Sequence, residues 1–174
     1  MKSIFFSIIW SSKGFNLMDN EFEDELFNKS YLLFGLFGVV NFLFNFDDTY
    51  ETNKYFFHLV SFLLSVLIAI IFGFISSYIL FKTGKILSGK ATYLDIFAVL
   101  AYSFVPLSIG LLLILFFKDT YNLILYTSYL ITLKILTFGL LKYNKYGILK
   151  TIVNISVLVA FFYLLYFILP HLVI

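Results

Sequence analysis

From Phe56 to Phe81 the chain reads FFHLVSFLLSVLIAIIFGFISSYILF, without one Asp, Glu, Lys or Arg. About 20 apolar residues in a helix cross the roughly 30 Å hydrocarbon core of a bilayer, and this run is longer. Backbone groups in hydrocarbon must be satisfied internally, so a run of this kind commits the chain to a helix. Similar runs occupy about 31–46, 96–117, 121–141 and 148–169. Hydrophobic residues make up 61% and charged residues 13%, where a soluble domain carries about 25% charged. There are too few charges to surface a soluble fold. The expected fold class is an all-α integral membrane protein: a five-helix transmembrane bundle over 31–174, preceded by a cytoplasmic or interfacial segment over 1–30. No internal repeat is visible.

Composition also removes several chemistries. The chain has no cysteine, which excludes disulfides, thiolate catalysis and cysteine metal sites. All 12 basic residues are lysine, so the bidentate clamp of a guanidinium on phosphate or carboxylate is absent. A net charge of +2 gives no case for nucleic acid. The chain is expected to have no cofactor and no metal. His58 and His171 fall on the same side in topology as Asp47, Asp48, Glu51 and Asp119. Lone histidines at span ends are more often interfacial than ligating.

Residues 1–18, MKSIFFSIIWSSKGFNLM, place Ser3, Ser7 and Ser11 four apart, while Ile4, Phe5, Ile8 and Ile9 fall elsewhere. The spacing predicts a helix with one polar stripe, lying in the membrane interface with Trp10 at headgroup level. The apolar part is short for a signal peptide and no small-x-small cleavage pattern follows it. The acids of DNEFEDE, 19–25, read as a solvated linker, or as a docking site for a basic partner.

Within the spans, small residues recur on the second run at Ser61, Ser65, Ala69, Gly73 and Ser77. A spacing of four keeps them on one face, and small side chains let another helix approach closely in lipid. This predicts the second span as the central packing helix. Asn41 and Asn45 in the first span and Asn154 in the fifth need polar partners, expected on neighbouring helices.

The loop GKILSGKA, Gly84–Ala91, approaches the phosphate-binding pattern G-x-x-x-x-G-K-[ST], with Ala91 where the metal-binding hydroxyl belongs. A membrane span precedes it rather than a strand, so a tight basic turn accounts for it. Thr92-x-x-Asp95 then reads as a capping box opening the third span. Pro106 lies mid-span, where it removes one donor and presses on the Tyr102 carbonyl, predicting a kink. Ser103 is placed to re-satisfy that carbonyl, with Tyr102 and Ser103 turned into the bundle. Lys134 stands within about 5 Å of the middle of the fourth span. Either it snorkels, or it faces inward to a polar cavity with Tyr102 and Asp95, holding a lipid headgroup or anionic ligand. The inward placement is the expectation here, because the hydroxyls of Thr127, Tyr129 and Thr132 otherwise share no polar face.

Lysines set the expected orientation. Lys2, Lys13 and Lys29, then Lys82, Lys85 and Lys90, then Lys142, Lys145 and Lys150 fall on one side of five spans; Lys54 and Lys118 fall on the other. Positive-inside places the amino terminus in the cytoplasm and the carboxyl terminus outside, in the cytoplasmic (inner) membrane.

Ser88-Gly89-Lys90, followed by an aromatic and an acid and then by Ala101-Tyr102-Ser103-Phe104-Val105-Pro106, resembles the Yip1 domain, in particular its short bacterial members. The segment Ser11-Ser12-Lys13-Gly14-Phe15 also resembles what precedes that family's first span. The resemblance covers nearly the whole chain. It implies five membrane helices, a cytoplasmic amino terminus, and the tyrosine-serine and proline in the third helix. Eukaryotic relatives are associated with Rab GTPases and vesicle traffic and carry longer hydrophilic amino-terminal regions. Only residues 1–30 precede the first span here, so that role is not carried over.

Besides an enzyme with a metal site at His58 and His171, which lone histidines at span ends do not favour, two functional classes follow. One is a non-enzymatic accessory or scaffold that binds other membrane proteins or lipids, with a homo-oligomer as a further partner. The other is a small transporter or channel with a polar path near Lys134 and Pro106. Against the second, no carboxylate lies inside a span to relay protons.

Overall fold

The computed structural model describes residues 2–9, 11–45, 54–117 and 120–172. Seven helices are found among them: α1 (Lys2–Ile9), α2 (Ser11–Met18), α3 (Glu23–Phe44), α4 (Lys54–Ile86), α5 (Tyr93–Phe116), α6 (Tyr121–Asn144) and α7 (Ile148–Leu172). The last five are long and apolar enough to cross a membrane. The protein is an all-α, five-span membrane protein, and what precedes the spans is a helix pair. Expectations for Trp10, Asp47, Asp48, Glu51, Lys118 and Asp119, and for the His171 side chain, fall outside the described residues.

Helix ends follow local chemistry. Thr92 and Asp95 form the expected reciprocal box: the Asp95 N–H donates to Thr92 Oγ1 at 3.2 Å, and the Thr92 N–H donates to Asp95 Oδ2 at 2.8 Å. α3 opens with Glu23, Asp24 and Glu25 in its first turn, where acids suit the positive helix end. It therefore runs straight through the expected boundary at residues 30 and 31. α4 extends through Lys82–Ile86, past the expected end at Phe81, and closes in a Schellman turn. There the Gly89 N–H donates to the Gly84 carbonyl at 2.7 Å and the Ser88 N–H to that of Lys85 at 3.0 Å. The left-handed position belongs to Ser88, φ 68°.

α5 is the central helix. Of its most apolar window 67% is buried, against 28% for α3 and α6 and 17% for α4 and α7. This corrects the expectation that the second span is central. α3 and α6 flank α5, α4 packs on α3 and α5, and α7 packs on α4 and α6. The small stripe of α4 receives α3 along part of its length. Ser65 Oγ donates to the Gly38 carbonyl at 2.9 Å, Ala69 lies against Gly38, and Gly73 lies under the Phe34 ring. Ser77 is fully buried, whereas Ser61 is exposed. Aromatic rings fill the seam between α3, α4 and α5, with centroids 4.9 Å apart for the stacked pair Phe74–Phe97 and the tilted pair Phe37–Phe104, and 5.2 Å for the tilted pair Phe34–Phe97. Each such pair contributes about 0.5–1.5 kcal/mol beyond area burial.

The amides divide. Asn154 is fully buried and joins α7 to α4, donating to the Leu80 carbonyl at 3.1 Å and to the Tyr146 hydroxyl at 2.7 Å. Asn41 and Asn45 instead meet each other at the end of α3: Asn45 Nδ2 donates to the Asn41 carbonyl at 2.9 Å and to its Oδ1 at 3.1 Å. A mutual pair one turn apart replaces the expected neighbouring helix.

Candidate functional site

A group of polar side chains converges where α1 and α2 meet α5 and α6. Gly14 lies against the backbone of Phe6 and Ser7, a Cβ there standing 2.8 Å from the Phe6 carbonyl carbon. In one continuous helix these residues would be two turns apart, so α1 and α2 fold back as a hairpin. Phe15 and Met18 are buried in the main core, and Phe15 reaches Gly139 of α6. Ile8 shares a groove with Pro106, so the hairpin extends about halfway along α5.

The serine stripe faces inward, not toward the membrane surface as expected. Ser3, Ser7 and Ser11 are all buried, while Phe5 and Ile9 are about 60% exposed. In a lipid-facing helix the apolar side belongs outside, and small hydroxyl side chains permit close helix approach. Ser7 Oγ donates to the Ile4 carbonyl at 2.7 Å and Ser11 Oγ to that of Ser7 at 3.1 Å. Ser3 Oγ donates to Glu21 at 2.6 Å and lies 3.2 Å from the Tyr102 hydroxyl. Tyr102 in turn donates to Glu21 at 3.3 Å, and the Lys29 ammonium stands 3.1 Å from Glu21 and 2.7 Å from Glu25. One carboxylate thus ties the hairpin exit to α1, α3 and α5. Asp19 makes a second tie: Lys142 Nζ and the Tyr143 hydroxyl of α6 each donate to it at 2.6 Å. The acids of 19–25 are therefore not one solvated linker.

Of the residues singled out on α5, Tyr102, Ser103 and Pro106 are buried together in the continuous helix. Ser103 Oγ donates at 2.6 Å to the Leu100 carbonyl, not to the Tyr102 carbonyl that Pro106 frees. Pro106 lines an open groove of about 340 Å³, with Ile8, Gly110, Leu123 and Ile131 among its mostly apolar walls. Asp95 sits apart from these, in a polar cavity at the start of α5.

Lys134 does not join Tyr102 and Asp95. It is exposed, and borders a separate cavity with Ile9, Ser11, Ser12 and Phe138. The buried side of α6 is instead Ile135, Leu136, Gly139 and Leu140. The three hydroxyls named with Lys134 do not form one inward face: Thr127 and Tyr129 are exposed, and Thr127 Oγ1 donates to its own helix, at the Leu123 carbonyl, 2.7 Å. Exposed substitutions usually change stability by under about 0.5 kcal/mol. Lys134→Met is therefore expected to leave thermal melting in detergent unchanged or slightly raised, since it removes an intramembrane charge. A large drop in melting temperature would contradict this placement.

A family model for the Yip1 domain matches residues 6–172, nearly the whole chain. The protein belongs to the Yip1 domain family. No curated protein and no solved structure matches it. The match begins at residue 6, within α1, so it takes in the end of α1 and all of α2 together with the five spans.

In this Yip1 domain the Gly84–Ala91 loop is a packing device. Asn144, at the end of α6, is 2% exposed, and its Oδ1 stands where a Cβ on Gly89 would go and 3.0 Å from one on Gly84. The amides of Ser88, Gly89 and Lys90 donate to the carbonyls of Lys85, Gly84 and Asn144. A phosphate-cradling loop needs such amides free, so the nucleotide-like pattern carries no nucleotide chemistry here. Lys150 Nζ donates to the Leu87 carbonyl at 2.9 Å and completes the end of α4. Burial raises the Tyr146 phenol above its ordinary pKa, and the hydrogen bond from Asn154 pulls the other way. Sequence reading passed over Asn144, Asp19 and Glu21 as site residues. The available signal was charge complementarity between the acidic run and the lysines near residues 29 and 142.

Proposed function

We propose that this protein is a non-enzymatic Yip1-type membrane protein that binds or organises other membrane proteins or lipids. We also place it in the cytoplasmic membrane, amino terminus inside and carboxyl terminus outside, on the lysine asymmetry of its loops. The observation that carries the binding role is the sparse burial of α4 and α7. Only 17% of the residues in each span window are buried, against 67% for α5. Two adjoining spans thus present exposed faces to lipid or to other helices. Against a transporter reading, the groove beside Pro106 has mainly apolar walls and Lys134 lies outside it.

The test is photocrosslinking in native membranes from probes at Leu63, Leu67 and Val153, all exposed, with a probe at buried Val99 as the control. Discrete adducts from α4 and α7 and none from Val99 are expected. Absence of adducts together with solute flux in reconstituted vesicles would favour the transporter. A carboxyl-terminal reporter active only in the cytoplasm would overturn the orientation.

A further inference from the structure

We propose that the polar cavity lined by Asp19, Lys90, Asp95, Lys142, Tyr143 and Lys145 binds a phosphate ester, with an anionic phospholipid headgroup as the source its position favours. The inference deepens the binding role above and rests on it. The cavity holds about 430 Å³. It sits where α5 begins and α6 ends, so it lies at the ends of two spans, at the level of lipid headgroups.

Its two carboxylates are already engaged. Asp19 takes Lys142 at one oxygen and the Tyr143 hydroxyl at the other, both at 2.6 Å, and Asp95 Oδ2 takes the Thr92 amide at 2.8 Å. Among the described residues, neither the Lys90 nor the Lys145 ammonium has a carboxylate within 4.0 Å.

Their proximity is built into the backbone. The Lys90 N–H donates to the Asn144 carbonyl at 3.1 Å, and Lys145 follows Asn144 in the left-handed conformation, φ 55°. Asn144 is itself fixed against Gly84 and Gly89. Two exposed lysines held on adjoining backbone both line the cavity, and an anion there would meet two positive charges with no carboxylate between them. The start of α5 adds a partial positive charge. The exposed side chains of Phe138, Ile148 and Leu149, near the same ends of α6 and α7, offer an apolar surface for acyl chains.

The test uses the full-length chain in phosphatidylcholine nanodiscs doped with phosphatidylglycerol, with bound lipid read by native mass spectrometry. Wild type is expected to retain one phosphatidylglycerol per chain. K90Q/K145Q should weaken that binding roughly thirtyfold. K82Q/K85Q should change it little, because those ammoniums lie over the Tyr78 and Phe81 rings, at 5.3 and 5.4 Å, outside the cavity. Wild-type binding by K90Q/K145Q, or equal loss in both pairs, would overturn the site. Displacement of the lipid by millimolar glycerol 1-phosphate would overturn the lipid source in favour of a soluble ester. If crosslinks from α4 and α7 persist while this binding is absent, the lipid site fails and the broader role stands.

Discussion

Gly38→Leu is expected to separate α3 from α4, lowering stability by about 3 kcal/mol or more, at the upper end of overpacking costs. A Cβ on Gly38 would stand 2.6 Å from Val66 Cα and 2.8 Å from the Ser65 carbonyl oxygen. Both are backbone atoms, so no rotamer change relieves the contact. The same substitution also displaces Ser65 Oγ from the Gly38 carbonyl. Gly35 is the internal control: it lies on the same helix, but its Cβ would meet only a Val66 methyl at 4.0 Å. Gly35→Leu should cost under about 1 kcal/mol, since leucine is the better helix former. Thermal melting of both variants in one detergent decides the matter. Equal losses would show that helix propensity or insertion, rather than the α3–α4 contact, governs the effect.

That contact shows what the sequence made legible. The four-residue stripe on α4 marked where a helix approaches, because only small side chains allow backbone contact in lipid. It did not identify the central helix. α4 is the more apolar of the two, yet α5 is far more buried. In a bilayer, lipid-facing and core-facing positions both favour apolar side chains, so hydropathy finds spans but cannot rank their burial. The capping box at Thr92 was readable because its two partners are three residues apart. Lys134 was misplaced because the hydroxyls read as its companions do not form one inward face, and Thr127 satisfies its own on the preceding turn.

The hairpin was hidden for a related reason. Periodicity showed that Ser3, Ser7 and Ser11 share a face, but not what that face meets. Water was the default partner; the structure supplies Tyr102 and Glu21 instead. The sequence holds neither proline nor glycine between α1 and α2. Gly14, whose missing side chain admits the Ser7 backbone, lies a turn further on. The long-range partners of the hairpin, Tyr102 and Tyr143, are about a hundred residues away in sequence and leave no local signature.

Glu21→Ala is expected to loosen that hairpin, with a cost of about 2–4 kcal/mol. The substitution removes the acceptor of Ser3 at 2.6 Å, of Tyr102 at 3.3 Å and of Lys29 at 3.1 Å. Tyr102 is fully buried, so its hydroxyl would keep only Ser3 as a neighbour. Glu25→Ala supplies the contrast. Its side chain is 52% exposed and its ion pair is with Lys29 at i+4, an arrangement worth about 0.3–0.5 kcal/mol. Hydrogen exchange resolves the two. In Glu21→Ala, amides of α1 and α2 should lose protection by roughly thirtyfold or more, while those of α5 stay slow. In Glu25→Ala both should remain near wild type. Tyr102→Phe closes a double-mutant cycle: if the carboxylate acts through the phenol, the combined loss falls short of the sum by about 1 kcal/mol. Full additivity would mean that Glu21 holds the hairpin through Ser3 and Lys29 alone. Unchanged protection in Glu21→Ala would mean that the packing of Phe15 and Met18, both 1% exposed, is enough to hold it.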